Sequence, residues 1–150
     1  MSDLRELYQE IIMDHNKNPQ NFHKLKDATK MIEGKNPLCG DHYTIYLSIE
    51  NGLIKDVGFE GAGCAISKAS ASVMSTMIKG KTIEEAKKLF DNFHKVITGT
   101  VSGEEAILEM GKLGAFAGVA EFPTRVKCAT LAWHAMHDGI SNDNAKVSTE

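Results

Sequence analysis

The fold is decided between residues 43 and 59, which read YTIYLSIENGLIKDVGF. Apolar side chains alternate up to a turn signal at Asn51-Gly52, and a second apolar run follows, as in a β-hairpin. A two-residue loop would set Ile45 opposite Gly58 and scatter the apolar side chains over both faces. We therefore predict a three-residue loop, residues 50–52, with a bulge at Gly52. The resulting strand partners are Ile49 with Leu53, Ile45 with Val57 and Tyr43 with Phe59.

Other periodic segments lie on both sides of this hairpin. An apolar helical stripe near the N-terminus predicts a first helix that stops between Asn16 and Pro19, and Met31-Ile32 predicts a third strand. The stripe consists of Leu4, Leu7, Tyr8, Ile11 and Ile12. After the hairpin, a helix from Ile66 should end at Gly80. Thr82 and Glu85 form the capping box of the next helix.

The C-terminal third carries weaker signals. Ser102 and Glu105 repeat the capping signature, and Gly111 to Gly118 reads as a loop with little helical character. Pro123 can open a last helix that runs to Gly139, because proline is well tolerated in a first helical turn. The polar tail from Ser141 is expected to fray.

Length and composition predict one domain over residues 1–150. The chain has 150 residues, of which 42% are hydrophobic and 25% are charged, as in ordinary globular proteins. Strands in the first half and helices around them predict an α+β fold. Its small antiparallel sheet of about three strands should pack against several helices.

The charge balance excludes some partners. A formal net charge of −3 gives no basic surplus to bind nucleic acid or an anionic membrane. We find no signal peptide and no apolar run that could span a bilayer, so we expect a cytoplasmic protein. Three cysteines in such a chain fit reduced thiols better than a disulfide framework.

The three cysteines can converge in space. Cys39 and Asp41 are two residues apart and so project to one side of an extended chain. The predicted register puts Asp41 level with Gly61 and Cys39 level with Gly63, which brings Cys64 close to both. Cys64 also starts a helix, where unpaired amides and the helix dipole favour a negative group.

The remaining cysteine, Cys128, falls in the first turns of the last helix, after Arg125 and Lys127. Three thiolates and one carboxylate supply the four donors of a tetrahedral zinc site. Soft sulfur selects zinc or an iron–sulfur cluster over magnesium or calcium.

Other interpretations compete with this one. Isolated cysteines are most often small buried hydrophobes, so the residues alone leave the metal site and the buried core equally open. Gly61-Ala62-Gly63 lacks the rest of a phosphate-binding loop, and the serines between residues 67 and 75 lack a nucleophile elbow. These serines instead predict a small-residue packing face. His15, His134 and His137 are interpreted as structural or surface residues.

Three motifs resemble one known family. They are Asn36-Pro37-Leu38-Cys39-Gly40-Asp41, Gly61-Ala62-Gly63-Cys64-Ala65-Ile66-Ser67, and Arg125-Val126-Lys127-Cys128-Ala129-Thr130-Leu131. In this order they resemble the IscU/NifU N-terminal-type scaffold family of iron–sulfur cluster assembly. The SufU branch is the more similar one, because Lys127 stands where IscU-type members carry a histidine. The segment from Gly99 to Gly118 is also similar to the insertion of that branch.

The resemblance implies both a site and a partner. It implies a zinc site made of Cys39, Asp41, Cys64 and Cys128, with an iron–sulfur cluster as the alternative occupant. It implies a pyridoxal-phosphate-dependent cysteine desulfurase of the SufS kind as partner, and contacts with other cluster assembly proteins. Cys39 would accept the persulfide sulfur when a desulfurase histidine replaces it on zinc. The alternative function is a scaffold that builds a cluster and passes it to apo-proteins.

Two cations, Arg125 and Lys127, remain to be placed in this implied arrangement. They would either offset the negative charge of the site or face the partner.

Overall fold

A computed structural model describes residues 2–37, 40–100, 111–141 and 146–148. Its strands are β1 (Lys30–Asn36), β2 (Asp41–Glu50), β3 (Leu53–Ala62) and β4 (Lys146–Ser148). Its α-helices are α1 (Ser2–Lys17), α2 (Ala65–Ile78), α3 (Ile83–Ile97) and α4 (Pro123–Ser141), and a 3₁₀ helix spans Gly111–Glu121. The predicted α+β class is confirmed.

The sheet has the order β3-β2-β1-β4. β1 and β3 both pair antiparallel with β2, as the sequence predicted, and β4 pairs parallel with β1. The expectation of a frayed tail is therefore wrong for Lys146–Ser148. A strand of three residues is too short to give a periodic signal of its own, and it forms by pairing with the free edge of β1.

The predicted hairpin loop is wrong by one residue. Asn51 and Gly52, with φ of 54° and 76°, form a two-residue turn, and Glu50 pairs with Leu53. The pairing then shifts between Ser48 and Ile49, which leaves Lys55 as the extra residue of a bulge. Beyond the bulge, Ile45 lies opposite Phe59. One apolar face is thus preserved, as predicted, but its partners are displaced by two residues.

One face of the sheet carries the core. Tyr43, Ile45, Leu47, Val57 and Phe59 are fully or almost fully buried there. α4 packs across β1, and α2 packs against α4 and α1. Gly34 lets α4 approach closely, since a Cβ at this position would lie 3.2 Å from the Leu131 side chain.

The segment predicted as a loop, Gly111 to Gly118, is instead part of the 3₁₀ helix Gly111–Glu121. Its buried apolar residues, Leu113, Phe116 and Val119, recur every third position, which is the repeat of a 3₁₀ helix and not of an α-helix. The second capping signature, Ser102 and Glu105, lies outside the described residues.

Candidate metal centre

The inward faces of β1 and β2 end in polar side chains. Ile32, Gly34 and Asn36 alternate inward along β1, and Asp41 begins the same alternation on β2 with Tyr43. Asn36 and Asp41 are strand partners, and both are almost completely buried. The apolar face of the sheet therefore continues at one end into a carboxamide and a carboxylate.

Cys64 comes to this end of the sheet from β3. Its thiol is the N-cap of α2, where Sγ accepts a hydrogen bond from the Ser67 amide at 3.4 Å. Its own amide donates to Asp41 Oδ1 at 2.9 Å. The prediction that Cys64 starts a helix beside Asp41 is confirmed, although Gly61 faces Tyr43 and not Asp41.

Cys128 reaches the same point from the last helix. It lies in the second turn of α4, which begins at Pro123, and its side chain is fully buried. Its Sγ lies 3.6 Å from the Thr124 carbonyl and 3.6 Å from Asn36 Nδ2.

The side-chain donor atoms of Asp41, Cys64 and Cys128 lie within 4.8 Å of one another. Segments distant in the sequence thus bring two sulfurs and a carboxylate oxygen to one place. Cys39 and Leu38 lie outside the described residues.

The carboxylate of Asp41 is held mainly through one oxygen. Oδ1 accepts from the Cys64 amide at 2.9 Å and from Ser67 Oγ at 3.2 Å. Oδ2 has only a 3.4 Å contact with Asn36 Nδ2 among the described residues. Oδ1 is therefore fixed by the protein, and Oδ2 is the oxygen left with lone pairs for a metal ion.

A tyrosine supports this arrangement from inside the core. Tyr43 Oη lies 3.1 Å from Ser67 Oγ. Burial, above all, raises the pKa of Tyr43 to about 12, and the nearby Asp41 and thiols act in the same direction. Tyr43 therefore keeps its proton and can donate it to Ser67 Oγ, whose own hydrogen has two acceptors within reach, the Cys64 carbonyl at 2.9 Å and Asp41 Oδ1 at 3.2 Å.

One cation stands at the rim. Arg125 is exposed, and the negative charges of Cys64 and Cys128 raise the pKa of its guanidinium. Cys64 is half-buried, whereas Asp41 and Cys128 are buried. The site is thus reached from the side of Cys64 and Arg125. Lys127 is half-buried on the same helical turn.

This donor set fits a soft divalent metal. Two thiols and a carboxylate suit zinc or an iron–sulfur cluster, whereas magnesium and calcium require oxygen donors. The buried Oδ1 of Asn36 has no hydrogen-bond partner among the described residues, so this polar pocket is not satisfied by those protein groups alone. Zinc in proteins takes four ligands, which leaves one position for a further donor.

The other candidate residues lie elsewhere. His15 is buried and contacts Ser72 Oγ at 2.7 Å, and His134 and His137 pack against Phe90. Ser70, Ser72 and Ser75 of α2 form the predicted packing face, whereas Ser67 contacts Asp41 at the site.

Sequence reasoning missed the parts played by Asn36, Tyr43 and Ser67 around Asp41. The position of Asn36 in the strand could have revealed its inward direction, because it continues the inward alternation of Ile32 and Gly34. Ser67 gave no comparable signal, because its place beside Asp41 depends on how α2 packs.

Comparison with known proteins now identifies the family. Residues 7–149 match the sequence profile of the NifU-like N terminal domain. The chain belongs to this family. The family covers almost the whole sequence, including every element that contributes to the site.

Members of the NifU-like family with similar sequences include two curated bacterial proteins. The zinc-dependent sulfurtransferase SufU of Bacillus subtilis (strain 168) is 39% identical over 142 residues, which cover 95% of each chain. The iron–sulfur cluster assembly scaffold protein IscU of Streptococcus pyogenes serotype M1 is 37% identical over 151 residues, which cover 100% of this chain and 93% of the other.

A solved structure confirms the fold of this NifU-like domain. It is the crystal structure of a Fervidobacterium islandicum AW-1 protein assigned to cluster assembly for the SUF system. It superimposes with a TM-score of 0.81 at 38% identity and covers 90% of this chain and 97% of that one. Within the described residues of the present structure, no helix is long and apolar enough to cross a membrane.

Proposed function

We propose that this NifU-like protein binds zinc through Cys39, Asp41, Cys64 and Cys128 and accepts sulfur from a cysteine desulfurase for iron–sulfur cluster assembly. The observation that carries this proposal is the convergence of Asp41, Cys64 and Cys128 within 4.8 Å. Cys39, two residues before Asp41, is the nearest thiol in sequence that could be the fourth donor. The name of the Bacillus subtilis relative supports zinc and sulfur transfer.

The residues around the site would each do a defined part of this work. Bound zinc would keep its thiol ligands deprotonated without redox chemistry. Cys64 and Ser67 hold Asp41 Oδ1, and Arg125 offsets negative charge at the open side. A carboxylate is a weaker zinc donor than a thiolate, so a site that contains Asp41 exchanges a ligand more readily than an all-thiolate site.

Sulfur transfer to Cys39 needs no added oxidant, because the donated sulfur comes from a persulfide. A desulfurase of the SufS kind, which uses pyridoxal phosphate, carries a persulfide on its own cysteine. The Cys39 thiolate attacks the outer sulfur of that persulfide, the sulfur–sulfur bond breaks, and the desulfurase cysteine leaves as a thiolate. Cys39 then carries the persulfide for other cluster assembly proteins. Such thiols persist in a reducing compartment, which supports the cytoplasm as the place of action.

A second candidate function is a scaffold that assembles an iron–sulfur cluster on the same residues. The name of the Streptococcus pyogenes relative favours it. Lys127 favours sulfur transfer, because the IscU-type scaffold members that this chain resembles carry a histidine at that position. Metal analysis of aerobically purified protein separates the two functions. Tightly held zinc in a colourless solution supports transfer, and labile iron with sulfide supports the scaffold.

The experiment that tests the acceptor role is the Cys39→Ala variant with a SufS-class desulfurase and L-cysteine. We expect the wild-type protein to stimulate alanine release and to gain the mass of sulfur, and Cys39→Ala to do neither while remaining folded. Lys55→Ala, changed at the far end of the hairpin, should behave as wild type. Full stimulation by Cys39→Ala would contradict the acceptor role.

A further inference from the structure

Asn36 has a side chain that the packing of the fold does not explain. It is completely buried at the end of β1, opposite Asp41. Its backbone completes the strand pairing whatever the side chain, and leucine has the same number and branching of side-chain heavy atoms. Its carboxamide instead puts one oxygen, Oδ1, in a buried position where it has no hydrogen-bond partner among the described residues. Such an unpaired atom destabilises a core, so a benefit must lie elsewhere.

The other end of the carboxamide touches two of the three converging donors. Nδ2 lies 3.4 Å from Asp41 Oδ2 and 3.6 Å from Cys128 Sγ. These contacts join Asp41 of β2 to Cys128 of α4, two elements that are distant in the sequence. An NH₂ group has two hydrogens and can serve both acceptors at once.

Charge fixes the orientation of this amide. Rotated by half a turn, Asn36 would point its oxygen at the carboxylate oxygen of Asp41, which repels it, and would offer no donor to Cys128 Sγ. The contacts with Asp41 Oδ2 and Cys128 Sγ are longer than ordinary N–H···O hydrogen bonds, and both acceptors keep lone pairs that can bind an ion.

We propose that Asn36 is a positioning residue of the metal site, whose Nδ2 sets the spacing of Asp41 Oδ2 and Cys128 Sγ before the ion binds. The inference rests on the proposed metal site and deepens it. Groups that hydrogen-bond to metal ligands fix ligand direction and tune the metal. Asn36 acts in this way on two ligands at once, so its removal loosens the positions of both Asp41 and Cys128.

The test compares zinc binding and apo-protein stability in Asn36→Leu. We expect its zinc affinity, measured by competition with a chromogenic chelator, to fall about 10- to 100-fold. The apo-protein should stay folded, because leucine removes the unpaired Oδ1 together with the Nδ2 contact to Asp41 Oδ2, and these two effects on the free energy of unfolding oppose each other. The absorption bands of bound cobalt(II), which depend on ligand geometry, should shift from those of the wild type.

Asn21→Ala is the matched control. It removes an asparagine that hydrogen-bonds Ser75 at 3.0 Å, away from the site, and should lower stability without moving the cobalt bands. If Asn36→Leu does not fold, Asn36→Ala gives the same readouts, because it introduces no added bulk.

Three results would overturn the proposal. Wild-type zinc affinity and cobalt bands in Asn36→Leu or Asn36→Ala would show that the amide does not position the ligands. Lower apo stability with unshifted cobalt bands would show that Asn36 only supports the fold. Failure of the wild-type protein to bind zinc or cobalt would remove the metal site itself, and with it this role of Asn36.

Discussion

Gly63 shows how closely single residues are fitted around Asp41. A Cβ at this position would lie 2.5 Å from both Asp41 Oδ1 and Ser67 Oγ, and 2.8 Å from Tyr43 Oη. The carboxylate cannot simply move aside, because the Cys64 amide holds Oδ1 at 2.9 Å. Glycine is therefore needed here for space and not for backbone freedom.

We expect Gly63→Ala to displace Asp41 and to weaken zinc binding, with a loss of about 1–3 kcal/mol in the free energy of unfolding. Chelator competition and urea unfolding measure the two effects. Gly118→Ala is the control, because a Cβ at Gly118 has no neighbour within 4 Å among the described residues. Gly63→Ala with wild-type zinc affinity would mean that the position of Asp41 does not matter to the site.

The sequence predicts residues of this kind unevenly. Cys64 and Asp41 could be brought together in advance because strand parity and a helix start both pointed to one place. Ser67 could not, because its contact with Asp41 depends on the rotation of α2 about its axis. That rotation is set by packing against α1 and α4, which no local pattern records.

Secondary-structure elements reveal a second limit of sequence reasoning. The hairpin was predicted with the correct apolar face but the wrong partners, because an Asn-Gly turn and a bulge together restore the same parity as a three-residue loop. The 3₁₀ helix gives no α-helical period of 3.6, because its buried residues Leu113, Phe116 and Val119 recur every third position.

The start of α3, by contrast, follows its sequence signal closely. Thr82 Oγ1 accepts from the Glu85 amide, and Glu85 Oε1 accepts from the Thr82 amide, each at 3.1 Å. The hydrogen bond from the Thr82 backbone is the largest of the effects that lower the pKa of Glu85. Thr82 and Glu85 are both exposed, so the capping box stabilises the start of the helix and not the packing of the core.

We expect Thr82→Ala to lower the free energy of unfolding by about 1 kcal/mol, because the Glu85 amide loses its acceptor. Zinc binding should be unchanged, since this helix start lies outside the site. Thr76→Ala is the matched control inside α2, where alanine has the higher helix propensity. Urea unfolding measures the stability of both variants. A Thr82→Ala protein as stable as the wild type would contradict a capping role for Thr82.

The whole molecule is held together partly by buried polar contacts between α1, the following loop and α2. His15 is buried and contacts Ser72 Oγ at 2.7 Å, and the same oxygen accepts from the Gln20 amide at 2.8 Å. Asn21 adds a hydrogen bond to Ser75. The small serines of α2 thus allow close packing and also fix the position of the first helix.

The protonation of His15 follows from this packing. Burial is the main cause that lowers its pKa below the ordinary 6.5, Lys112 acts in the same direction, and Asp14 opposes both. The folded protein therefore holds a neutral ring at a pH where the unfolded chain binds a proton. The contribution of His15 to the free energy of unfolding is complete above about pH 6.5 and is lost as the pH falls toward the folded-state pKa.

We therefore expect the wild-type free energy of unfolding to fall between about pH 7.5 and 5.5, and His15→Gln to lose less over the same interval. At pH 7.5 His15→Gln should be less stable by about 1 kcal/mol, because the contact with Ser72 is lost. Part of the pH dependence should remain in this variant, since burial also lowers the pKa of His134. His23→Gln, at an exposed position, should keep the wild-type slope. Urea unfolding at several pH values measures all three proteins, and an identical slope for His15→Gln and wild type would mean that the buried ring does not couple protons to folding.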